Sequence, residues 1–210
     1  MNIAVEIDAL RPEALQTASE AGPASKRTVV AYGFWIFILS DIVMFAALFA
    51  GYAVLVRSTA GGAPGAQLFS QVNVAIETAC LLASSYTCGL MSLAVNSRRR
   101  IGTYLAAVVT FALGAAFLVL ELREFADMIV RGATPQSSAF LSSFFTLVGC
   151  HGLHVTAGLI WLVVMMFQVA VKSFTPAVMR RLLCFSLFWH ALDIIWICLF
   201  TFVYLMGVRP

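Results

Sequence analysis

Side chains that ionise stand inside otherwise apolar stretches of this sequence: Asp41, Glu77, His151, His154, His190 and Asp193, with Glu121 and Glu124 near the edge of a further stretch. His151 and His154 are three residues apart in GCHGLHVTAGLIW, so on a helix both project from one side, with Gly158 one turn beyond His154. His190 and Asp193, in WHALD, have the same spacing and can pair. Three chemistries are open to such groups. Imidazole nitrogens could ligate zinc or haem iron, although the histidines lack the HExxH context that would make a metal site specific. Carboxylates and imidazoles could relay protons, as in pumps. Or the groups could pair across helices and fix how those helices pack, around lipid headgroups included. Other reaction patterns are missing: no GxSxG elbow, no base beside Ser84–Ser85 or Ser142–Ser143, and no phosphate-cradling glycine loop.

The elements that position these groups follow from composition. Of 210 residues, 61% are hydrophobic and 11% charged, against about 25% charged in a soluble domain. The expected fold is an all-α membrane protein of five transmembrane helices. Spans fall at about 29–56, 68–95, 101–120, 140–171 and 182–207, each long enough for a hydrocarbon core of about 30 Å. The third span is able to continue as an amphipathic extension through Glu121, Glu124 and Asp127, and Pro176 is expected in the loop before the fifth. Residues 1–27 read as a polar arm and residues 28–210 as the membrane domain. STAGGAPGA (58–66) and RGATPQSS (131–138) read as turns. Unbroken apolar runs of this length exclude a β-barrel, and no internal repeat supports an inverted-repeat transporter.

Charge placement sets the expected orientation. With the N-terminus cytoplasmic, Arg11, Lys26, Arg27, Arg98–Arg100, Lys172, Arg180 and Arg181 lie inside, leaving Arg57, Arg123, Arg131 and Arg209 outside. The C-terminus is then periplasmic. Rise arithmetic puts Asp41, His154, His190 and Asp193 roughly 12–18 Å from the cytoplasmic edge, so they are expected to meet in one layer. No cleavable signal peptide is expected, because Glu6, Asp8, Glu13 and Glu20 interrupt the first residues. The cysteines, Cys80, Cys88, Cys150, Cys184 and Cys198, read as small buried hydrophobes. No basic run is interleaved with aromatics, so no nucleic-acid partner is expected.

Several stretches together resemble one family. They are GFWIFILSDIVMFAALFAGY (33–52), ETACLLASS (77–85), ELREF (121–125), GCHGLHVTAGLIW (149–161) and SLFWHALDIIWICLFTFVYLMG (186–207). In this order they resemble subunit III of the haem-copper terminal oxidases, from about Thr28 to the C-terminus. The five-span length and the TAGG turn are most similar to the cytochrome bo-type ubiquinol oxidase branch. The resemblance implies a multi-pass subunit of the bacterial cytoplasmic (inner) membrane, within a respiratory complex that oxidises ubiquinol, reduces oxygen and pumps protons. It implies that this chain carries no haem, copper or catalytic centre. The haems and copper then belong to subunit I, beside which this subunit sits with subunits II and IV. It implies roles in stabilising subunit I during turnover, in supporting proton uptake and in binding phospholipid in a cleft between helices.

By motif, Asp41 stands where the family often has a buried glutamate after a serine, so the shorter aspartate is a departure. Glu124, His151, His154, His190 and Asp193 match recurring polar positions, none of them a redox ligand. With Glu77, these residues make the expected structural or lipid-cleft network, and Gly33–Tyr52 is the expected face toward subunit I. Two alternatives remain open from sequence: subunit III of a cytochrome c oxidase, and, from a different class, a stand-alone proton-coupled transporter.

Overall fold

The computed structural model describes residues 25–59 and 71–205. Residues 1–24 of the terminal arm and most of the first turn, both read from the sequence, lie outside the described residues, while Lys26 and Arg27, read as the end of the arm, open the first helix. Five long helices run in order: α1 (Lys26–Leu55), α2 (Gln71–Asn96), α3 (Arg100–Val130), α4 (Ala139–Lys172) and α5 (Pro176–Leu199), the last continued by a π-helical turn (Phe200–Leu205). All five are long and apolar enough to cross a membrane.

Local chemistry sets the ends. Ser25, Ser138 and Thr175 each accept a backbone N–H of the first turn of α1, α4 and α5. Gly132, with φ 80°, closes α3, and its N–H and that of Ala133 cap the carbonyls of Ile129 and Met128. The third helix runs unbroken to Val130, through the extension past residue 120 that the sequence allows, with Glu121 buried inside the bundle. One boundary differs from the sequence reading. Pro176 belongs to the fifth helix and not to the loop before it. A proline at the first helical position loses no hydrogen bond, since that N–H would be orphaned anyway.

Helices α2, α3, α4 and α5 form a ring in which each packs on the next and α5 closes back on α2, while α1 lies outside against α4 and α5. The N–H of Phe140 reaches the carbonyl of Ser58, which ties the end of α1 to the start of α4. At the other end Arg100, at the start of α3, donates to Ser173, after α4. One end therefore gathers Lys26, Arg27, Arg98, Arg99, Arg100, Lys172, Arg180 and Arg181.

The side chains of α5 are buried on most of its circumference, and the stripe Leu187, His190, Ala191, Ile194 and Cys198 is left open. Its Trp189 is the centre of the packing. The ring of Trp189 fills the space left by two glycines: a Cβ on Gly114 of α3 would stand 3.0 Å from its Cη2, and one on Gly158 of α4 would stand 2.9 Å from its Cζ3. Its indole N–H donates to Ser84 of α2 at 3.1 Å. One side chain thus touches all three other helices of the ring.

Candidate functional site: polar groups within the helix bundle

The first group of polar contacts is a ladder between α2 and α5. Trp196 donates to Thr78 Oγ1 (3.1 Å), Trp189 to Ser84 Oγ (3.1 Å), His190 Nδ1 lies 2.8 Å from Ser85 Oγ, and Ser92 donates to Ser186 Oγ (3.1 Å). The hydroxyl protons of Thr78 and Ser84 turn back onto the carbonyls of Val74 and Leu81. That leaves their oxygens free to accept the two indoles, so every hydrogen on these rungs has a place. Thr78, Ser85 and Ser92 recur every seventh residue and so share one face of α2. That periodic hydroxyl stripe was the signal for the ladder, and the expectation built on ionisable groups alone passed over it.

His190 and Asp193 meet through Ser85. No direct ion pair joins them; Asp193 approaches the same hydroxyl. Ser85 Oγ can accept from the imidazole Nδ1–H and turn its own proton toward Asp193, an arrangement that gives each hydrogen a place. The second carboxyl oxygen, Oδ1, is buried without a partner.

The second group is a carboxyl cluster toward the end of the bundle opposite Arg98–Arg100. Glu77 of α2 and Glu121 and Glu124 of α3 are close enough to feel one another's charge. Glu77 and Glu121 are 1% and 3% exposed, and none of their four oxygens has a hydrogen-bond partner. Tyr52 of α1, its hydroxyl likewise unpartnered, and Tyr204 border the same cluster.

The α4 histidines divide. His151 is fully buried in an aromatic box, stacked on Trp196 (centroids 5.2 Å) and met edge-on by Phe117 (5.9 Å) and Phe45 (6.3 Å). Neither ring nitrogen has a hydrogen-bond partner. His154 bonds its own helix: Nδ1 donates to the Cys150 carbonyl at 2.8 Å, and its ring packs on Phe45 (5.3 Å) and Phe188. Asp41 is half-buried on α1 near Cys150.

The layer expected from rise arithmetic is thus divided. No hydrogen bond or ion pair joins any two of Asp41, His154, His190 and Asp193 directly; His190 bonds Ser85 and His154 its own helix. Depth follows from residue number, but azimuth does not, and Phe45 inserts its ring beside both His154 and the His190 wall. Among the described residues, no group of three or more His, Cys, Asp or Glu is placed to hold a metal ion.

A groove of about 520 Å³ separates α1 from α5. Trp35, Ile42, Ala46 and Phe49 line it from one side, and His190, Ile194 and Phe202 from the other. Asp41 does not line it.

These polar groups make contacts between neighbouring helices, among them the α2–α5 ladder. The family model described as cytochrome c oxidase subunit III matches residues 17–208. The chain belongs to the cytochrome c oxidase subunit III family. It is 52% identical over 176 residues to the cytochrome bo(3) ubiquinol oxidase subunit 3 of Pseudomonas aeruginosa, covering 84% of each chain. It is 42% identical to the subunit of that name from Buchnera aphidicola of Acyrthosiphon pisum (84% of this chain, 86% of the relative). It is 43% identical to the quinol oxidase subunit 3 of Bacillus subtilis (84% and 86%). Within a subunit III fold, the ladder, the carboxyl cluster and the boxed histidine lie between helices, as do the Thr87–Thr110 contact (2.8 Å) of α2 with α3 and the bond from the Tyr104 hydroxyl of α3 to the Met166 carbonyl of α4 (3.0 Å).

Proposed function

We propose that this chain is the non-redox subunit III of a proton-pumping quinol oxidase of the cytochrome bo type in a bacterial inner membrane. The observation that carries the reading is the 52% identity, over 84% of both chains, to a cytochrome bo(3) ubiquinol oxidase subunit 3. Its partners would be subunit I, holding the haems and copper, with subunits II and IV. The histidines of this chain suit that division of labour. His151 is walled in by aromatic rings, His154 is bonded to its own helix and His190 to Ser85, so their ring positions brace helices and leave no shared opening for a haem.

The mechanical role follows from the contacts. The α2–α5 ladder and Trp189 hold the four-helix ring, and α1 stands off it, its outward residues Tyr32, Ile36 and Val43 exposed. That apolar α1 face is the surface we assign to subunit I. The α1–α5 groove, apolar except for His190, suits the acyl chains of a bound phospholipid. Asp41, turned toward Cys150 of α4, then sets the angle of α1 without touching the lipid. The N-terminus is assigned to the cytoplasm, since the end rich in Lys and Arg belongs inside.

Affinity purification through a tag on this chain tests the assignment. The complex should carry haem and oxidise ubiquinol in preference to cytochrome c. A complex that oxidises only cytochrome c would transfer the chain to the cytochrome c oxidases, and transport by the chain alone in liposomes would remove both readings. Ala46→Trp, which fills the groove, should release tightly held phospholipid; unchanged lipid content would remove the groove from the account.

A further inference from the structure

At the arginine-rich end, the start of α1, the end of α2 and the start of α5 meet at one corner. A cavity of about 200 Å³ opens there between Arg27 of α1, Asn96 of α2 and Arg180 of α5. Neither arginine has a hydrogen bond or an ion pair among the described residues. Two neighbouring cations are already engaged: Arg100 donates to Ser173 and Arg181 to Gln168. The described carboxylates give no relief, because Asp41, Glu77, Glu121, Glu124, Asp127 and Asp193 all lie at mid-helix or toward the opposite end. Among the described residues, the corner therefore holds two guanidiniums from different helices that line one space with no carboxylate beside them. Below them the wall turns apolar, with Met91, Val95 and Leu183.

We infer that this corner binds the phosphodiester headgroup of an anionic phospholipid, held by Arg27 and Arg180, with the root of an acyl chain along Met91, Val95 and Leu183. Guanidinium forks suit phosphate oxygens, and two of them satisfy one phosphate better than a lysine ammonium would. A free phosphate would use the arginines but leave the apolar wall bare. The helix ends place the site at the depth of lipid headgroups, which makes the lipid the occupant. The site shares no lining residue with the α1–α5 groove, and the inference does not depend on the quinol-oxidase reading.

The test uses the intact complex in nanodiscs of phosphatidylcholine with a rising share of phosphatidylglycerol, the bound lipid being counted by native mass spectrometry. The wild type should retain phosphatidylglycerol selectively. Each arginine near an anionic headgroup contributes about fivefold in affinity, so the double variant Arg27→Gln, Arg180→Gln should need roughly thirtyfold more phosphatidylglycerol. Leu183→Trp, which keeps both cations but fills the wall, should also lose the lipid. Arg181→Gln, whose side chain is turned to Gln168, should stay within about twofold of wild type. If the double variant fails to assemble, the single variants Arg27→Gln and Arg180→Gln, at about fivefold each, carry the test. Equal loss in Arg181→Gln would mean diffuse surface charge and overturn the site. So would displacement of the lipid by millimolar inorganic phosphate, or full retention of the lipid in the arginine variants.

Discussion

Adding a single methyl group at Gly158 should weaken the bundle, and it should do so through Trp189. The new Cβ would lie 2.9 and 3.1 Å from Trp189 Cζ3 and Cε3, and 3.2 Å from Phe188 Cε1. The ring has little room to retreat, because its other edge lies so near the Gly114 backbone that a Cβ there would stand only 3.0 Å away, and its N–H is tied to Ser84. Forcing an extra methyl group into such packing costs about 1–3 kcal/mol. Shifting the indole off Ser84 adds about 0.6 kcal/mol, the average for an interhelical hydrogen bond in a membrane. Against this, alanine stabilises a helix by about 1 kcal/mol relative to glycine. The control is Gly89→Ala on α2, where a Cβ would meet nothing within 4 Å; it has the propensity gain without the clash. The two alanine variants should therefore differ by about 1.5–3.5 kcal/mol. Titration of the purified complex with a denaturing detergent, read by tryptophan emission, measures the difference. Equal midpoints for Gly158→Ala and Gly89→Ala would refute the reasoning, since they would show that the Trp189 slot yields freely.

Other perturbations probe the remaining contacts. Ser85→Ala removes the hydroxyl between His190 and Asp193 and should cost about 1–3 kcal/mol, because the buried Asp193 and the half-buried His190 lose their link; detergent titration with an unchanged midpoint would mean that water replaces the hydroxyl. Thr78→Val keeps the shape but removes the acceptor for Trp196, and should cost about 0.6 kcal/mol with a changed Trp196 environment in ultraviolet resonance Raman spectra. Glu121→Met removes a buried carboxyl that has no partner, so stability should hold or rise, as when buried ionic groups are replaced by apolar ones of similar volume. A sharp loss of stability in Glu121→Met would reveal a partner for that carboxyl in the assembled complex.

The architecture could be read from the sequence because five long apolar runs bounded by Arg, Lys and Gly/Pro turns leave few other solutions. The same holds for the family, since the His151–His154 and His190–Asp193 segments occur together in one order. Which residues pair was harder to see. Rise along a helix carries no azimuth, and the ring of Phe45 lies against His154 and in the groove that His190 also lines. The ladder rests on Thr78, Ser84, Ser85 and Ser92, neutral hydroxyls that any apolar helix tolerates, so attention to ionisable residues missed them. Pro176 reads as a loop residue until the cap supplied by Thr175 shows that it opens a helix. The carboxyl cluster joins Glu77 to Glu121 and Glu124 across two helices, a proximity that follows from the α2–α3 packing and from no local pattern.

The account's central claim is that this chain braces a respiratory oxidase while a neighbour handles the electrons. The most direct measurement purifies the complex through a tag on this chain, separates the subunits, and determines haem, iron and copper in each. The account predicts quinol-oxidising complexes whose haem and copper all follow the partner, with this chain metal-free. Stoichiometric haem, iron or copper remaining with the separated chain would contradict it.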